Sequence, residues 1–430
     1  MSFAYLHECF PDPTKTFVYR EVAAMVALGM EPLVFSVREP NADERARMES
    51  FDVTVRYVPP EAELRALIER ERDTFSAGQR RALSHWRAQK GDSTRVFEAL
   101  WLGRELRRLK IRHVHAHFAG LAARTAWLVR ELFGIGYSFT GHADDIFSPE
   151  QKPITLEMLV RNARFIATET DFSRVRLEQE FAAARGKTFR VFNGLDSARL
   201  TGDFPARPSE DVVPRIVSVG RLVEKKGFPD LLRACAELKQ AEVTFICEII
   251  GSGPMEAELE RLRQELGLTN EVVFRGAQPQ RVVQESLRSA RVFALAARVE
   301  GDGGSDNLPT VIMEAMAEGL PIVSTTVAGI PEMVDAGETG ILGPPGDVRK
   351  FAEGLQHYLQ HPAEARLHGS LGKKRAAEKF SVAAAAARLA ELLVQKAGVQ
   401  APPALRARLP TLRSSWLCRF WKRFGRVQGA

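Results

Sequence analysis

Short apolar runs alternate with amphipathic segments along most of the chain. The runs are typical of buried parallel strands, whereas the segments between them follow the period of a helix. In the first half, this pattern predicts strands at 4–7, 33–37, 53–58, 113–116, 137–140, 165–168 and 189–192. In the second half, it predicts strands at 215–219, 244–250, 272–274, 292–295 and 322–325. The alternation indicates stacked βα units around two mainly parallel sheets.

Helical patterns are clearest at 17–28 and 93–110. An Arg-rich stretch at 61–91 also favours helix over strand, and we interpret it as an insertion on the first domain. Residues 201–214 hold one glycine and three prolines but few large apolar groups, which is typical of a linker between domains.

The chain has 430 residues, more than one hydrophobic core usually organises, so we predict two domains. The predicted order is a Rossmann-like domain at 1–196, a linker at 197–214, a second Rossmann-like domain at 215–380, a helix at 381–400 and a tail at 401–430. The fold class is therefore α/β, with two domains that face each other across a cleft. Ligands of such sheets bind beyond the carboxyl ends of the strands.

The positive charge is concentrated at one end of the chain. The net charge is +6, but residues 401–430 contain seven Lys or Arg and no acid, which leaves residues 1–400 at −1. This distribution argues against a nucleic-acid-binding protein.

No apolar run is long enough to cross a bilayer, and residues 1–10 lack the basic start of a signal peptide. The four cysteines are far apart, which excludes a zinc ribbon and gives no disulfide framework. A protein of the reducing cytoplasm is therefore expected.

The tail segment 412–426 has two faces when it is drawn as a helix. One half carries Leu412, Trp416, Leu417, Phe420, Trp421 and Phe424, and the other mostly Arg419, Lys422, Arg423 and Arg426. Such a helix suits an anionic membrane interface, which would make the protein peripheral on the inner face of the membrane. The alternative is that the aromatic stripe packs on the protein itself, and the sequence favours neither.

Two strand-to-helix turns in the second half carry glycines. Gly220 follows the 215–219 strand and precedes Arg221 and Lys226, which are cations that an anionic ligand would attract. The alternative is an ordinary βα turn with solvated charges. Gly251 and Gly253 follow the 244–250 strand, but Glu256 replaces the last glycine of a dinucleotide-binding fingerprint.

The most informative segment is 300–319, where a polar, glycine-rich loop runs into a helix predicted from Pro309 to Gly319. Unpaired backbone amides at the start of a helix bind anions without a metal ion. Asp306 precedes this helix, and Glu314 lies inside it, eight residues later. The alternative for Glu314 is a buried acid on an apolar helix, which would need a partner.

This segment resembles the Glu-x7-Glu motif of the retaining family-4 glycosyltransferases, which have the GT-B fold. Residues 219–228, 251–254 and 328–332 continue the similarity in the family's order. The resemblance implies that Arg221 and Lys226 hold a donor diphosphate, that Asp306 contacts the donor sugar and that Glu314 contacts the ribose. It also implies further donor-binding positions, which are Gly220, Gly251, Gly253, Gly276, Asn307 and the amides of Leu308, Thr310 and Val311.

The motif departs from the family at two adjacent positions. The first acid is Asp306 instead of Glu, and Asn307 stands where glycine is usual. The missing methylene shortens the reach of the acid by about 1 Å, a displacement that matters in catalysis. The departure therefore bears on the identity of the donor and on the direct role of this acid.

The histidines of the first half allow different interpretations. His142 follows the 137–140 strand and matches the family's cleft histidine close to the donor sugar, although a structural histidine hydrogen-bonded in a loop is the alternative. The resemblance thus gives His142, Asp306, Arg221 and Lys226 as catalytic. His113, His115 and His117 alternate along a strand, but no cysteine or carboxylate cluster joins them, so we predict no metal site.

Residues 10–22, 115–119 and 139–147 resemble glycosyltransferases of colanic-acid and other exopolysaccharide biosynthesis. The resemblance implies transfer of a sugar from a nucleotide-diphosphate sugar to a saccharide acceptor. This acceptor is expected to be lipid-linked and to bind on the side of the 1–196 domain. No cofactor or metal is expected, and the leaving phosphate would accept the acceptor's proton on the same face of the sugar.

Two alternative functions stay open. One is a nucleotide-sugar epimerase of similar fold, and the other is a non-catalytic sugar-nucleotide-binding partner, for which Asp306 is the only supporting feature. A dehydrogenase fits least.

Overall fold

The computed structural model describes residues 3–12, 15–42, 53–147, 151–195, 213–301, 303–403 and 405–406. The predicted linker at 197–214 lies outside these residues except for its last two positions, and the tail segment 412–426 lies wholly outside them. In the part of the chain that the structure covers, no helix is both long and apolar enough to cross a membrane.

In the described residues thirteen strands form two sheets, and all twelve predicted strands are present. The strands are β1 (Ala4–Cys9), β2 (Leu33–Arg38), β3 (Val55–Tyr57), β4 (His113–His117), β5 (Gly136–Gly141), β6 (Ile166–Thr168), β7 (Thr188–Arg190), β8 (Arg215–Val219), β9 (Ile246–Ile250), β10 (Val272–Phe274), β11 (Val292–Leu295), β12 (Ile322–Thr325) and β13 (Gly340–Gly343). The strand that the sequence pattern missed is β13.

The first sheet has the order β3-β2-β1-β4-β5-β6-β7, and the second has the order β10-β9-β8-β11-β12-β13. All five neighbouring pairs of the second sheet are parallel, as are the pairs from β3 to β5 in the first. The two sheets are thus doubly wound, and the predicted α/β class with two Rossmann-like halves is confirmed.

Helices connect most of the strands. They are α1 (Thr16–Ala27), α2 (Glu61–Arg70), α3 (Ala77–Trp86), α4 (Arg95–Arg108), α5 (Leu121–Phe133), α6 (Ala143–Phe147), α7 (Leu156–Asn162), α8 (Asp171–Glu180), α9 (Phe228–Gln240), α10 (Glu256–Glu265), α11 (Gln280–Ser289), α12 (Thr310–Ala317), α13 (Ile330–Met333), α14 (Val348–Gln360), α15 (Pro362–Lys379) and α16 (Val382–Ala397). The helices predicted at 17–28 and 93–110 are confirmed within a few residues. The 61–91 stretch contains two helices, α2 and α3, and α16 lies within 381–400.

Contacts divide the described residues into two compact units. The first unit comprises those in Met1–Thr140, Gln151–Ala167 and Ala383–Ala430, and the second comprises those in Gly141–Glu150 and Thr168–Val382. In the second unit, one apolar cluster includes Ile312, Met313 and Met316 of α12, and a second cluster includes residues of α9 and α14. Helices therefore bury both faces of the second sheet, and its strand ends carry the polar residues described next.

Candidate functional site

Three turns lie side by side at the carboxyl ends of β8, β9 and β10, all in the second unit. The amide of Gly220 donates to the carbonyl of Ile250 (3.0 Å), and the amide of Gly251 donates to the carbonyl of Gly276 (2.9 Å). The structure therefore brings together three glycine turns for which the resemblance implied a role in donor binding.

Two of these glycines are required by contact between backbones. Gly251 has φ +147°, and a Cβ atom there would lie 1.9 Å from the carbonyl oxygen of Gly220. A Cβ atom at Gly253 would lie 2.5 Å from the carbonyl oxygen of Leu222. Gly276 also has a positive φ, +65°, but a Cβ atom there would meet nothing within 4 Å. Gly251 and Gly253 thus allow the turns to pack, which is a structural role.

Lys226 is held over Gly220 by the shape of its own turn. The turn Glu224–Lys226 ends at Gly227, which has φ +65°, and a Cβ atom there would lie 1.7 Å from the carbonyl oxygen of Ala296. The Lys226 ammonium forms an ion pair with the carboxylate of Asp306. Both side chains are mostly buried. The contact joins two residues that are 80 positions apart in the sequence, so both belong to one site.

The glycine-rich loop is attached to the same turn. Glu300 accepts a hydrogen bond at Oε1 from the amide of Lys225 (3.2 Å), and the carbonyl of Lys225 accepts one from the amide of Arg298 (3.0 Å). Inside the loop, the amide of Glu300 donates to the carbonyl of Gly304 (2.7 Å). These bonds hold the part of the loop that leads to Asp306.

Helix α12 begins at Thr310, one residue after the predicted start at Pro309, which occupies its N-cap position. Proline offers no side-chain cap, and no hydrogen bond joins the amides of Leu308, Thr310 or Val311 to another described residue. The start of α12 therefore presents three amide donors that a ligand can use.

Asn307 is tied to residues that the sequence patterns did not identify. Its Nδ2 donates to Oε2 of Glu169 (3.3 Å), and its Oδ1 accepts from Oγ1 of Thr170 (2.8 Å). Oε1 of Glu169 lies 3.0 Å from Nδ1 of His142 and also accepts from Asn193. His142 and the residue next to Asp306 are therefore linked through one buried carboxylate. The signal in the sequence is weak, since Glu169 merely follows a strand.

Two predicted site residues stand apart from this network. The Arg221 side chain is exposed and forms no hydrogen bond or ion pair with the part of the chain that the structure describes, although the backbone carbonyl accepts from the amide of Val223 (2.9 Å). Glu314 is partly buried and accepts a hydrogen bond from Nε2 of Gln280 (3.3 Å). Glu314 is therefore half-buried and not fully buried on its apolar helix, and it has Gln280 as a partner.

The 328–332 segment caps the start of helix α8 in the second unit through the side chain of Glu332. The carboxylate of Glu332 accepts hydrogen bonds from the amides of Asp171 (2.9 Å) and Phe172 (2.8 Å), at the start of α8. A carboxylate satisfies the unpaired donors there and complements the helix dipole. Sequence similarity alone did not show this capping contact.

The histidines of β4, in the first unit, are buried among their own partners. Ser138 Oγ lies 2.8 Å from both His113 and His115, and His117 lies 2.8 Å from Oε1 of Glu21. Burial lowers the pKa of His113 to about 3. Burial and the neighbouring histidines also hold the pKa of His115 well below its usual range. Among the described residues, no three His, Cys, Asp or Glu side chains are arranged to hold a metal ion.

Comparison with known proteins identifies the family. The model of the family described as Glycosyl transferases group 1 matches residues 203–375. WcaL of Escherichia coli (strain K12), whose name assigns it to colanic acid biosynthesis as a glycosyltransferase, is 30% identical over 369 residues, which are 82% of this chain and 89% of WcaL. The amylovoran biosynthesis glycosyltransferase AmsK of Erwinia amylovora is 36% identical over 179 residues, 42% of this chain and 44% of AmsK.

The fold is also shared with solved structures. Anabaena HepE in complex with UDP superimposes with a TM-score of 0.68 at 17% identity, over 91% of this chain and 99% of HepE. At such low identity the likeness shows the fold alone, and it agrees with the two doubly wound sheets. Since the similarity to WcaL spans most of both sequences, the chain belongs to the group 1 glycosyltransferase family and has the GT-B fold.

Proposed function

We propose that this glycosyltransferase moves a sugar from a nucleotide-diphosphate donor to a saccharide acceptor, with retention of the anomeric configuration and without a metal ion. The supporting observation is that Lys226, at the carboxyl end of β8, is paired with Asp306, which lies just before the unpaired amides of α12. A cation and amides fixed in place before the reaction stabilise a departing diphosphate anion.

The Lys226–Asp306 pair also accounts for the shorter acid. Without a ligand, the Asp306 carboxylate neutralises a mostly buried ammonium. When the donor binds, its phosphate competes for Lys226, and Asp306 becomes available to hydrogen-bond a sugar hydroxyl. The ion pair holds Asp306 beside the position of the donor phosphate. An aspartate is therefore long enough to reach the donor sugar there, although it is shorter than the glutamate of the motif. Arg221 adds a second cation from the exposed side of the turn.

The remaining roles follow from the positions of the residues. Glu314, four residues into α12, accepts the ribose hydroxyls, and Gln280 holds its carboxylate. Gly276 leaves space beside the base. His142 lies close to the donor sugar. The leaving phosphate accepts the acceptor's proton on the face from which it departs, which gives retention without a protein nucleophile.

The pathway is supported by relatives whose names place them in colanic acid and amylovoran biosynthesis. We therefore place this chain in the synthesis of an exopolysaccharide, with a lipid-linked saccharide as acceptor at the cytoplasmic face of the membrane. The 412–426 segment would then bind the anionic membrane surface. Deletion of 401–430 should abolish binding to anionic vesicles, and unchanged binding would refute this part of the proposal.

A thermal-shift panel of UDP-, GDP-, dTDP- and ADP-sugars tests the donor, because a ligand raises the melting temperature only when it binds the folded state. At least one nucleotide sugar should raise the melting temperature and then be consumed when saccharide acceptors are added. Conversion of the nucleotide sugar without any acceptor would instead indicate an epimerase. Binding without transfer to any acceptor would indicate a non-catalytic partner.

A further inference from the structure

One buried carboxylate collects hydrogen bonds from three side chains in the second unit. Oε1 of Glu169 lies 3.0 Å from Nδ1 of His142 and also accepts from Nδ2 of Asn193. Oε2 accepts from Nδ2 of Asn307 at 3.3 Å. The Glu169 side chain is 8% exposed, so these donors replace the water that an isolated carboxylate would need.

The partners come from separate parts of the sequence. His142 follows β5, Glu169 follows β6 directly, and Asn193 lies three residues after β7. Asn307 belongs to the loop before α12, and its backbone carbonyl accepts a hydrogen bond from the amide of Gly329 (3.0 Å). Glu169 is thus anchored by Asn193 and Asn307 on two sides, which leaves its carboxylate little freedom to move relative to His142.

We propose that Glu169 is a positioning residue that orients His142 for transfer. A carboxylate beside Nδ1 selects the tautomer with the proton on Nδ1, so a neutral ring presents a lone pair at Nε2. That lone pair accepts a hydrogen bond from a sugar hydroxyl, and the anchored carboxylate fixes the direction in which the ring points. This inference rests on the proposed function, because it assigns His142 to the donor sugar.

The Asn307 side chain provides one of the two hydrogen bonds that anchor the Glu169 carboxylate. The resemblance to the family motif leads us to expect glycine at position 307, where this chain has asparagine, and glycine would have no side chain with which to hold Glu169. The asparagine amide reaches Glu169, and its oxygen is in turn fixed by Thr170. The departure from the motif at Asn307 thus supplies one of the two anchors of the carboxylate.

Glu169→Gln tests the role with little change in shape. A glutamine has one acceptor oxygen and one NH2 group, so it cannot accept from His142, Asn193 and Asn307 together. We expect kcat to fall about 10- to 100-fold, because displacements of about 1 Å near the reacting groups have effects of this size. The melting temperature should change by only a few degrees. The substrate is the nucleotide sugar that gives the largest shift in the panel above.

A double-mutant cycle separates positioning from a structural role. If Glu169 acts through His142, adding Glu169→Gln to His142→Ala should lower kcat by less than about twofold further. Losses that multiply in the double variant would overturn the inference, as would wild-type kcat in Glu169→Gln alone. If Glu169→Gln does not fold, Asn193→Ala replaces it in the same cycle and is judged by the same criterion.

Glu318→Gln is the matched control, since Glu318 is also a buried glutamate, paired with Arg288 (2.9 Å) and remote in sequence from His142. It should keep the wild-type kcat. If the wild-type protein turns over no nucleotide sugar, the proposed function fails and this inference with it. Multiplying losses in an active enzyme would overturn the role of Glu169 alone.

Discussion

His142 and the histidines of β4 all lie on or directly after strands of a parallel sheet, but they have different partners. His113 and His115 share the hydroxyl of Ser138, and burial lowers the pKa of both rings. His142 instead contacts a carboxylate that also binds Asn307, next to Asp306. The first group has the partners of a structural core, whereas the second is connected to the residues that we propose bind the donor. The role of a histidine is therefore better judged from its partners than from its place on a strand.

We therefore expect substitutions of the proposed donor-binding residues in the second unit to change activity. Substitutions of the buried histidines of β4 should instead change stability. Four substitutions test this division, beginning with the largest expected effect.

Lys226→Met should lower kcat/KM roughly 10²- to 10³-fold, because it removes a fixed cation from the leaving diphosphate. The melting temperature should stay close to that of the wild type, since Asp306, the partner that remains, keeps some exposure to solvent. Lys239→Met is the control, because Lys239 pairs with Glu271 (2.9 Å) near the end of α9. Wild-type turnover in Lys226→Met would remove Lys226 from the mechanism.

His115→Ala should destabilise the protein by about 2–4 kcal/mol, because it leaves a cavity and deprives Ser138 and Thr140 of a partner. Chemical unfolding measures this loss. The kcat of the folded fraction should match the wild type. A lower kcat with unchanged unfolding would show that the β4 histidines belong to the reaction after all.

Glu314→Ala should lower kcat/KM for the donor about 10- to 100-fold, the usual effect of losing a hydrogen bond to a charged group. The change should lie mainly in KM, since the ribose is bound equally before and during transfer. Steady-state kinetics at several donor concentrations distinguish the two constants. An effect confined to kcat would contradict a ribose-binding role.

The smallest expected effect concerns pH. Burial lowers the pKa of His113 to about 3 from an ordinary value of 6.5, so below pH 6.5 the unfolded chain binds a proton that the folded chain does not. The stability that His113 provides is complete above pH 6.5 and decreases as the pH falls towards 3. Between pH 7.5 and 5.5, His113→Asn should therefore lose about 1.4 kcal/mol less than the wild type. Equal losses in urea unfolding would contradict the buried neutral ring.

The sequence predicted the second sheet well but not completely. The strand at 215–219 has the predicted bounds, because Ile216 and Val217 are part of a clear apolar run. The missed β13 contains only Ile341 and Leu342 between two glycines, too short for a pattern. Its pairing depends on close backbone approach, since a Cβ atom at Gly340 would lie 2.3 Å from the carbonyl oxygen of Ile322.

The candidate site shows the same limit. Lys226 and Asp306 could be predicted as site candidates because Lys226 follows a glycine turn at a strand end and Asp306 lies in a glycine-rich loop before a helix, in a segment that resembles the family motif. Glu169 could not, since an acid among threonines after a strand resembles a solvated turn. Its burial depends on Asn193 and Asn307, which are 24 and 138 positions away in sequence. Such contacts exist only once the chain has folded.

The central claim is that Lys226 and the amides of α12 bind a diphosphate without a metal ion. Calorimetric titration of UDP and GDP, and of the corresponding nucleosides, into wild type and Lys226→Met in excess EDTA tests it most directly. The wild type should bind one diphosphate with EDTA present, and Lys226→Met should bind it about 10- to 100-fold more weakly while nucleoside binding is unchanged. Loss of wild-type binding in EDTA, or equal binding by the two proteins, would contradict the claim.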